Sequence, residues 1–131
     1  MRAGPRQDPL PVWFSGTLTV RNVRRIVELG DGWIPIMGTD AAGLADGVAV
    51  LWAAFADAGR DPSTLGVRAA LPVARDAEGR ADVDRTLAAA PDLLLTGATD
   101  VHLPLRAFDP DGSRPAETFA RLVGRYRAET A

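Results

Sequence analysis

Four times along this chain a short apolar run is followed by an amphipathic stretch with helical spacing, and this repetition limits the possible folds more than any other feature. The apolar runs predict buried strands, and the amphipathic stretches predict helices with one apolar face. Alternating strands and helices form a parallel sheet joined by helical crossovers. We therefore predict an α/β fold of four βα units, with strands at residues 11–14, Trp33–Met37, Val67–Ala74 and Asp100–Leu105.

The predicted helices begin and end at residues typical of helix termini. The first is capped by Thr17 or Thr19 and ends at Gly30, and the second begins at Asp40 and runs to about Ala58. The others are predicted at Val83–Ala90, with a second short helix through Leu93–Leu95, and at Pro115–Glu129. By spacing, the apolar residues expected to face the sheet are Val20, Val23, Ile26, Val27, Leu44, Val48, Leu51, Trp52, Phe55, Phe119, Leu122, Val123 and Tyr126.

Four βα units are half of an eight-unit barrel. Four parallel strands alone leave two unpaired edges and one bare face, which favours association with something that covers them. We therefore expect a homo-oligomer or a complex with a complementing N-terminal half. Residues 1–10 are rich in proline and charge and are predicted to be a linker, so that residues 11–131 form the half-barrel domain.

The composition excludes several classes of site and partner. The 131 residues include no cysteine and one histidine, His102, so thiolate and multi-histidine metal sites are excluded and we predict no metal. The net charge of −2 gives no broad attraction to nucleic acid or to an anionic membrane. The N-terminal residues do not form a signal peptide, and no apolar run reaches the roughly 18 residues of a membrane span, so we expect a cytoplasmic protein.

The segments Pro11–Gly16 (PVWFSG), Leu29–Pro35 (LGDGWIP) and Gly97–His102 (GATDVH) occur in an order that carries a family resemblance. Together they resemble the C-terminal half of the bacterial-luciferase-like monooxygenases, which are TIM-barrel oxidoreductases that use FMN or the deazaflavin coenzyme F420. The resemblance implies that this chain supplies barrel strands five to eight. It also implies that the chain alone is an incomplete catalyst, so its catalytic residues stay unassigned.

The turn Ser15-Gly16-Thr17 is the first candidate site, because it lies between the end of a strand and the start of a helix. Backbone N–H groups and the helix dipole at such a turn suit a phosphate. The resemblance implies that this turn holds the cofactor's phosphate or side chain. The alternative is a plain strand–helix turn with a threonine cap.

Three further cofactor-binding candidates and one substrate-binding candidate follow. Trp33 either lines the pocket or fills the barrel wall, and the resemblance implies a second cofactor contact at Gly38 or Thr39. Strand alternation places His102 on the face opposite Val101. If that face is the lumen, His102 approaches the substrate, whereas the alternative is a hydrogen-bonded core histidine.

Two functions from different classes remain open at this point. The first is part of an F420- or flavin-dependent oxidoreductase that transfers hydride to or from a small organic substrate, as the resemblance implies. The second is a non-catalytic half-barrel module for binding or assembly, which dimerises or complements a separate N-terminal half.

Overall fold

The computed structural model describes residues 9–131. Within them four short strands form one sheet in the order β1-β2-β3-β4, and every pairing is parallel. This confirms the predicted α/β fold of four βα units, which corresponds to half of a TIM barrel. The strands are β1 (Trp13–Ser15), β2 (Gly32–Ile34), β3 (Gly66–Ala70) and β4 (Asp100–His102). The helices are α1 (Val20–Leu29), α2 (Ala41–Asp57), α3 (Val83–Ala88), α4 (Ala90–Leu95), α5 (Leu105–Phe108) and α6 (Pro115–Thr130).

All four strands are shorter than predicted. β1 covers Trp13–Ser15 rather than residues 11–14, and a proline follows each of the other three. β2 ends at Ile34 before Pro35, β3 ends at Ala70 before Pro72, and β4 ends at His102 before Pro104. Proline has no N–H for the ladder and fixes its own φ, so it ends regular pairing. The predicted strand residues Ile36 and Met37 therefore lie in an exposed loop, and Leu105 begins a short helix.

Helix capping follows the sequence closely. Of the two threonines, Thr19 is the cap of α1, since its hydroxyl accepts a hydrogen bond from the N–H of Asn22 at 3.2 Å. Asp40 caps α2 by accepting from the N–H of Gly43 at 2.8 Å. These bonds satisfy N–H groups that the first turn of a helix leaves without partners.

The covered face of the sheet, on which α1 and α2 pack, holds the main core. Leu44, Val48, Leu51 and Phe55 form the buried stripe of α2, while Ile26 of α1 completes the contact. A second cluster joins Leu71 to α3, α4 and α6 through Leu87, Ala90 and Leu122. Among residues 9–131, no helix combines the length and apolarity needed to cross a membrane.

The inward orientation predicted for three apolar residues is wrong, because Val20, Trp52 and Phe119 are exposed. At about 100° per residue Trp52 lies beyond Val48 at the margin of the buried stripe of α2, where 44% of it is exposed. Val20 is the first residue of α1 and stands outside that helix's contact with the sheet. Phe119 lies beside the free edge of β4, where no further strand of the described chain covers it.

Arg60 joins the end of α1 to α2. Its guanidinium donates hydrogen bonds to the carbonyls of Val27 and Gly30, both at 2.8 Å, and stacks 4.2 Å from the centre of the Phe55 ring. A cation is favourable at the carboxyl end of a helix, where the carbonyls have no partners within the helix. Arg60 therefore ties the carboxyl end of α1 to α2.

Candidate cofactor site

The turn between β1 and α1 has a conformation that needs glycine. Gly16 adopts φ +111°, which a residue with a side chain rarely does, and its N–H donates to the carbonyl of Ile34 at 3.1 Å. The side-chain amide of Asn22 donates to the carbonyls of Thr17 at 3.0 Å and Ser15 at 3.4 Å. The turn is thus held from α1 as well as from β2.

Trp33 supports the same turn from the covered face of the sheet. Its indole N–H donates to the carbonyl of Gly16 at 2.9 Å, and its ring packs so closely on Gly47 of α2 that any Cβ there would overlap with it. Only 4% of Trp33 is exposed. The indole N–H is therefore engaged in positioning the turn, while part of the ring also borders the recess described next.

A recess of about 240 Å³ lies at the carboxyl ends of β1 and β2, between the beginnings of α1 and α2. It contains four of the six predicted cofactor-binding residues. The lining residues are Gly16, Thr17, Leu18, Trp33, Ile36, Thr39, Gly43 and Gly47. In parallel α/β folds this end of the strands is where ligands bind.

Ser15 and Gly38 are not among the lining residues. Ser15 is exposed at the end of β1, and its carbonyl accepts from Asn22. Gly38 is exposed in the loop after β2 with φ +85°, and a Cβ added there would meet no other atom within 4 Å. Both remain predictions of cofactor contact, at the rim of the recess rather than in its wall.

The donors at the recess suit a phosphate or a hydroxylated chain. Thr17 adds a hydroxyl to the lining, and three residues later α1 begins with Val20 and Arg21, whose N–H groups have no partner within the helix. The α2 end is less suited to an anion, since the Asp40 carboxylate accepts from Gly43 there. No lining residue is charged, so recognition rests on backbone N–H groups and hydroxyls.

The size of the recess sets a limit on what enters it. Sites for whole drug-sized ligands occupy about 300–1,000 Å³. At about 240 Å³ the recess is smaller than such sites, so it has room for part of a ligand, such as a phosphate and its linker.

The open face of the sheet, opposite α1 and α2, carries a second group of residues. The Trp13 ring lies across Gly32 and Gly66, where any Cβ would overlap with it. The Arg68 guanidinium stands 4.9 Å from the centre of that ring and 4.0 Å from the Asp100 carboxylate. Sequence reasoning missed this group, because a flat tryptophan over two glycines is visible only once the register is known.

His102 lies on the open face as well. It pairs with Ala70, two residues beyond the pair of Arg68 and Asp100, and it is exposed. Strand alternation therefore places it on the side that the predicted substrate role requires. In the described part of the chain, no three metal-ligating side chains are grouped so that they could hold an ion.

Three aspartates with a lowered pKa lie in exposed turns outside the recess. The N–H of Ser63 lowers the pKa of Asp61, and the N–H of Arg80 that of Asp76. The side chain of Ser113 lowers the pKa of Asp111. In each case hydrogen bonds stabilise the ionised carboxylate, so these groups organise turns and do not mark a reactive site.

Comparison with models of protein families matches residues 1–128 to the model described as luciferase-like monooxygenase. The chain belongs to the luciferase-like monooxygenase family. This confirms the resemblance found in the sequence, and it sets the general kind of chemistry as that of an oxidoreductase of the monooxygenase type. No curated protein and no solved structure matches the chain.

Proposed function

We propose that this luciferase-like chain binds the phosphate-bearing tail of coenzyme F420 or FMN in the recess beside Gly16. In this role it forms half of an oxidoreductase barrel that acts by hydride transfer on a small organic substrate. The observation that carries the proposal is the recess itself. It lies at the carboxyl ends of β1 and β2 and is bordered by the turn that Trp33 and Asn22 hold in place.

The residues of the recess divide into those that bind and those that position. The Thr17 hydroxyl and the first N–H groups of α1 bind the phosphate, and Gly16 lets it approach the backbone closely. Trp33 and Asn22 are positioning residues, since their polar groups bond to the turn itself. When bound, the cofactor supplies the hydride chemistry, while the protein determines where the ring lies.

The open face is the proposed substrate side. His102 projects from it at the carboxyl end of β4, Arg68 projects from the middle of β3, and both are exposed. We propose that His102 contacts the substrate there. Its exposure leaves both ring nitrogens free to bond to a small polar molecule.

Gly16→Val tests the binding role of the turn. A valine at φ +111° distorts the turn and moves its N–H groups, so we expect the dissociation constant for the cofactor to rise by about tenfold or more. The matched control is Gly59→Val, because Gly59 has φ +73° and open space around it at the end of α2. Fluorescence titration measures both variants, and circular dichroism shows whether each is folded. If the two folded variants bound the cofactor with equal affinity, the turn at Gly16 would not be part of the binding site.

A further inference from the structure

Within residues 9–131 the sheet has two edges that no strand covers, and backbone groups point outward at each. Just before β1 and β2 the Asp31 N–H donates to the Val12 carbonyl at 2.7 Å, and the Val12 N–H donates to the Asp31 carboxylate at 2.8 Å. Just after β1 the Gly16 N–H donates to Ile34, so the backbone groups of Trp13 and Ser15 point away from β2. At the other edge the Thr99 N–H donates to the Val67 carbonyl at 2.8 Å, which directs the backbone groups of Asp100 away from β3, while the His102 carbonyl accepts from Leu71. Outward N–H and C=O groups at a sheet edge are templates for pairing with another strand.

An apolar groove of about 410 Å³ runs beside the free edge of β4. We call it the α6 groove, and its apolar lining includes Val101, Leu103, Leu105, Phe119, Val123 and Tyr126. Val101 pairs with the buried Ala69, so the groove lies on the helix-bearing side of the sheet. Phe119, which is 61% exposed, stands at its wall.

The opposite edge carries exposed apolar side chains on the same side of the sheet. Leu10 and Val12 are 64% and 43% exposed and precede β1. They alternate with Trp13 and are in phase with Phe14, which packs on the covered core, so they project toward the helix-bearing side. We call these two residues the β1 ridge.

We propose that two copies of this chain associate about a twofold axis, with β1 of each copy pairing in parallel with β4 of the other. The β1 ridge of each copy then fills the α6 groove of its partner, and eight strands close into a barrel. A twofold axis makes two identical junctions and leaves no free edge. This proposal is independent of cofactor binding.

Three observations favour a second copy as the occupant. The same chain carries both the ridge and the groove, at opposite edges of its sheet. Four strands and four more make eight, the number at which side chains just fill a barrel interior. The open face presents Arg68 beside Asp100, so two such faces enclose equal numbers of positive and negative charges.

The association itself is measured by sedimentation and light scattering. We expect the wild-type chain to have twice its single-chain mass of 13.9 kDa. Val12→Asp and Phe119→Asp each place a carboxylate in both junctions and should raise the dissociation constant of the dimer by roughly a hundredfold. Both positions are exposed in the single chain, so each variant should fold. Val50→Asp, at a half-exposed position on α2, is the control and should stay dimeric.

Mixing the two variants tests the geometry of the junctions. A pair made of one Val12→Asp chain and one Phe119→Asp chain keeps one junction intact, whereas either variant alone has none. We therefore expect dimers to reappear in an equimolar mixture. A monomeric wild-type chain, open-ended polymers, or no recovery in the mixture would each overturn the proposal. So would association that occurs only with a separate polypeptide of four βα units.

Discussion

Trp13 and Trp33 lie on opposite faces of the same sheet, and each packs against glycine. Trp33 is buried under α2, and its indole N–H holds the turn at Gly16. Trp13 lies across Gly32 and Gly66 on the open face, with Arg68 above it. Around Trp33 the covered face is therefore closed by α1 and α2 and supports the recess, whereas the open face shows a layer of aromatic and charged side chains to its surroundings.

This difference has a consequence for how each face responds to change. A ring enclosed by a helix has nowhere to move, so its contacts are strongly coupled to stability. A ring on an open face can turn away from its glycines. We thus expect changes around Trp33 to affect folding and cofactor binding together, and changes around Trp13 to affect the isolated chain less.

The largest expected effect is that of Trp33→Ala. Removing this buried ring leaves a cavity under α2 and should lower the free energy of unfolding by about 3–5 kcal/mol. Trp13→Ala, on the open face, should cost no more than about 2 kcal/mol in the single chain, chiefly its stacking with Arg68 and its partial burial. Urea unfolding measures both. If Trp13→Ala lowered the free energy of unfolding as much as Trp33→Ala or more, the two faces would not differ as proposed.

A pair of identical substitutions sharpens the role of Trp33. Gly47→Ala places a Cβ against the Trp33 ring and should destabilise the protein by about 1–2 kcal/mol, although alanine favours the helix itself. Gly124→Ala, in α6, has open space around it and should stabilise the protein by about 0.5–1 kcal/mol. Thermal unfolding measures the change in stability of each variant. If both substitutions changed the stability in the same direction, the Trp33 ring would have to move freely away from residue 47.

The smallest expected effect concerns a turn outside both faces. Hydrogen bonds, first from the N–H of Arg80, hold the pKa of Asp76 below its unfolded value near 3.8. A lowered folded pKa stabilises the protein above the unfolded pKa, and that contribution disappears as the pH falls through the folded pKa. Asp76→Asn should therefore weaken the loss of stability below about pH 4. Unfolding curves of the variant and of the wild-type chain from pH 2 to 6 measure this difference.

Local features of this fold could be predicted from the sequence because they depend on near neighbours. The four βα units, the caps Thr19 and Asp40, and the strand–helix turn at Gly16 all follow from periodicity and from residues a few positions apart. The strand ends were predicted too long, since the apolar pattern continues past Pro35 and Pro72 while the pairing does not.

Contacts between strands could not be predicted in the same way. The packing of Trp13 on Gly32 and Gly66 depends on the register of three strands, and nothing in the local pattern specifies it. The same holds for Asn22. In the sequence it has the position of an ordinary residue of α1, and nothing there shows that its side-chain amide donates to the carbonyl of Thr17. Phe119 has the spacing of a core residue but lies beside a free edge, which only the sheet order shows.

The most direct test of the cofactor site is a fluorescence titration of the purified, folded chain with FMN, with riboflavin and with F420. FMN and riboflavin share a ring system and differ in the phosphate, so their comparison isolates the tail. We expect saturable binding of FMN or of F420 and, in either case, no binding of riboflavin over the same range. Riboflavin binding as tight as that of FMN, or no binding of either phosphate-bearing cofactor, would contradict a recess that holds the phosphate.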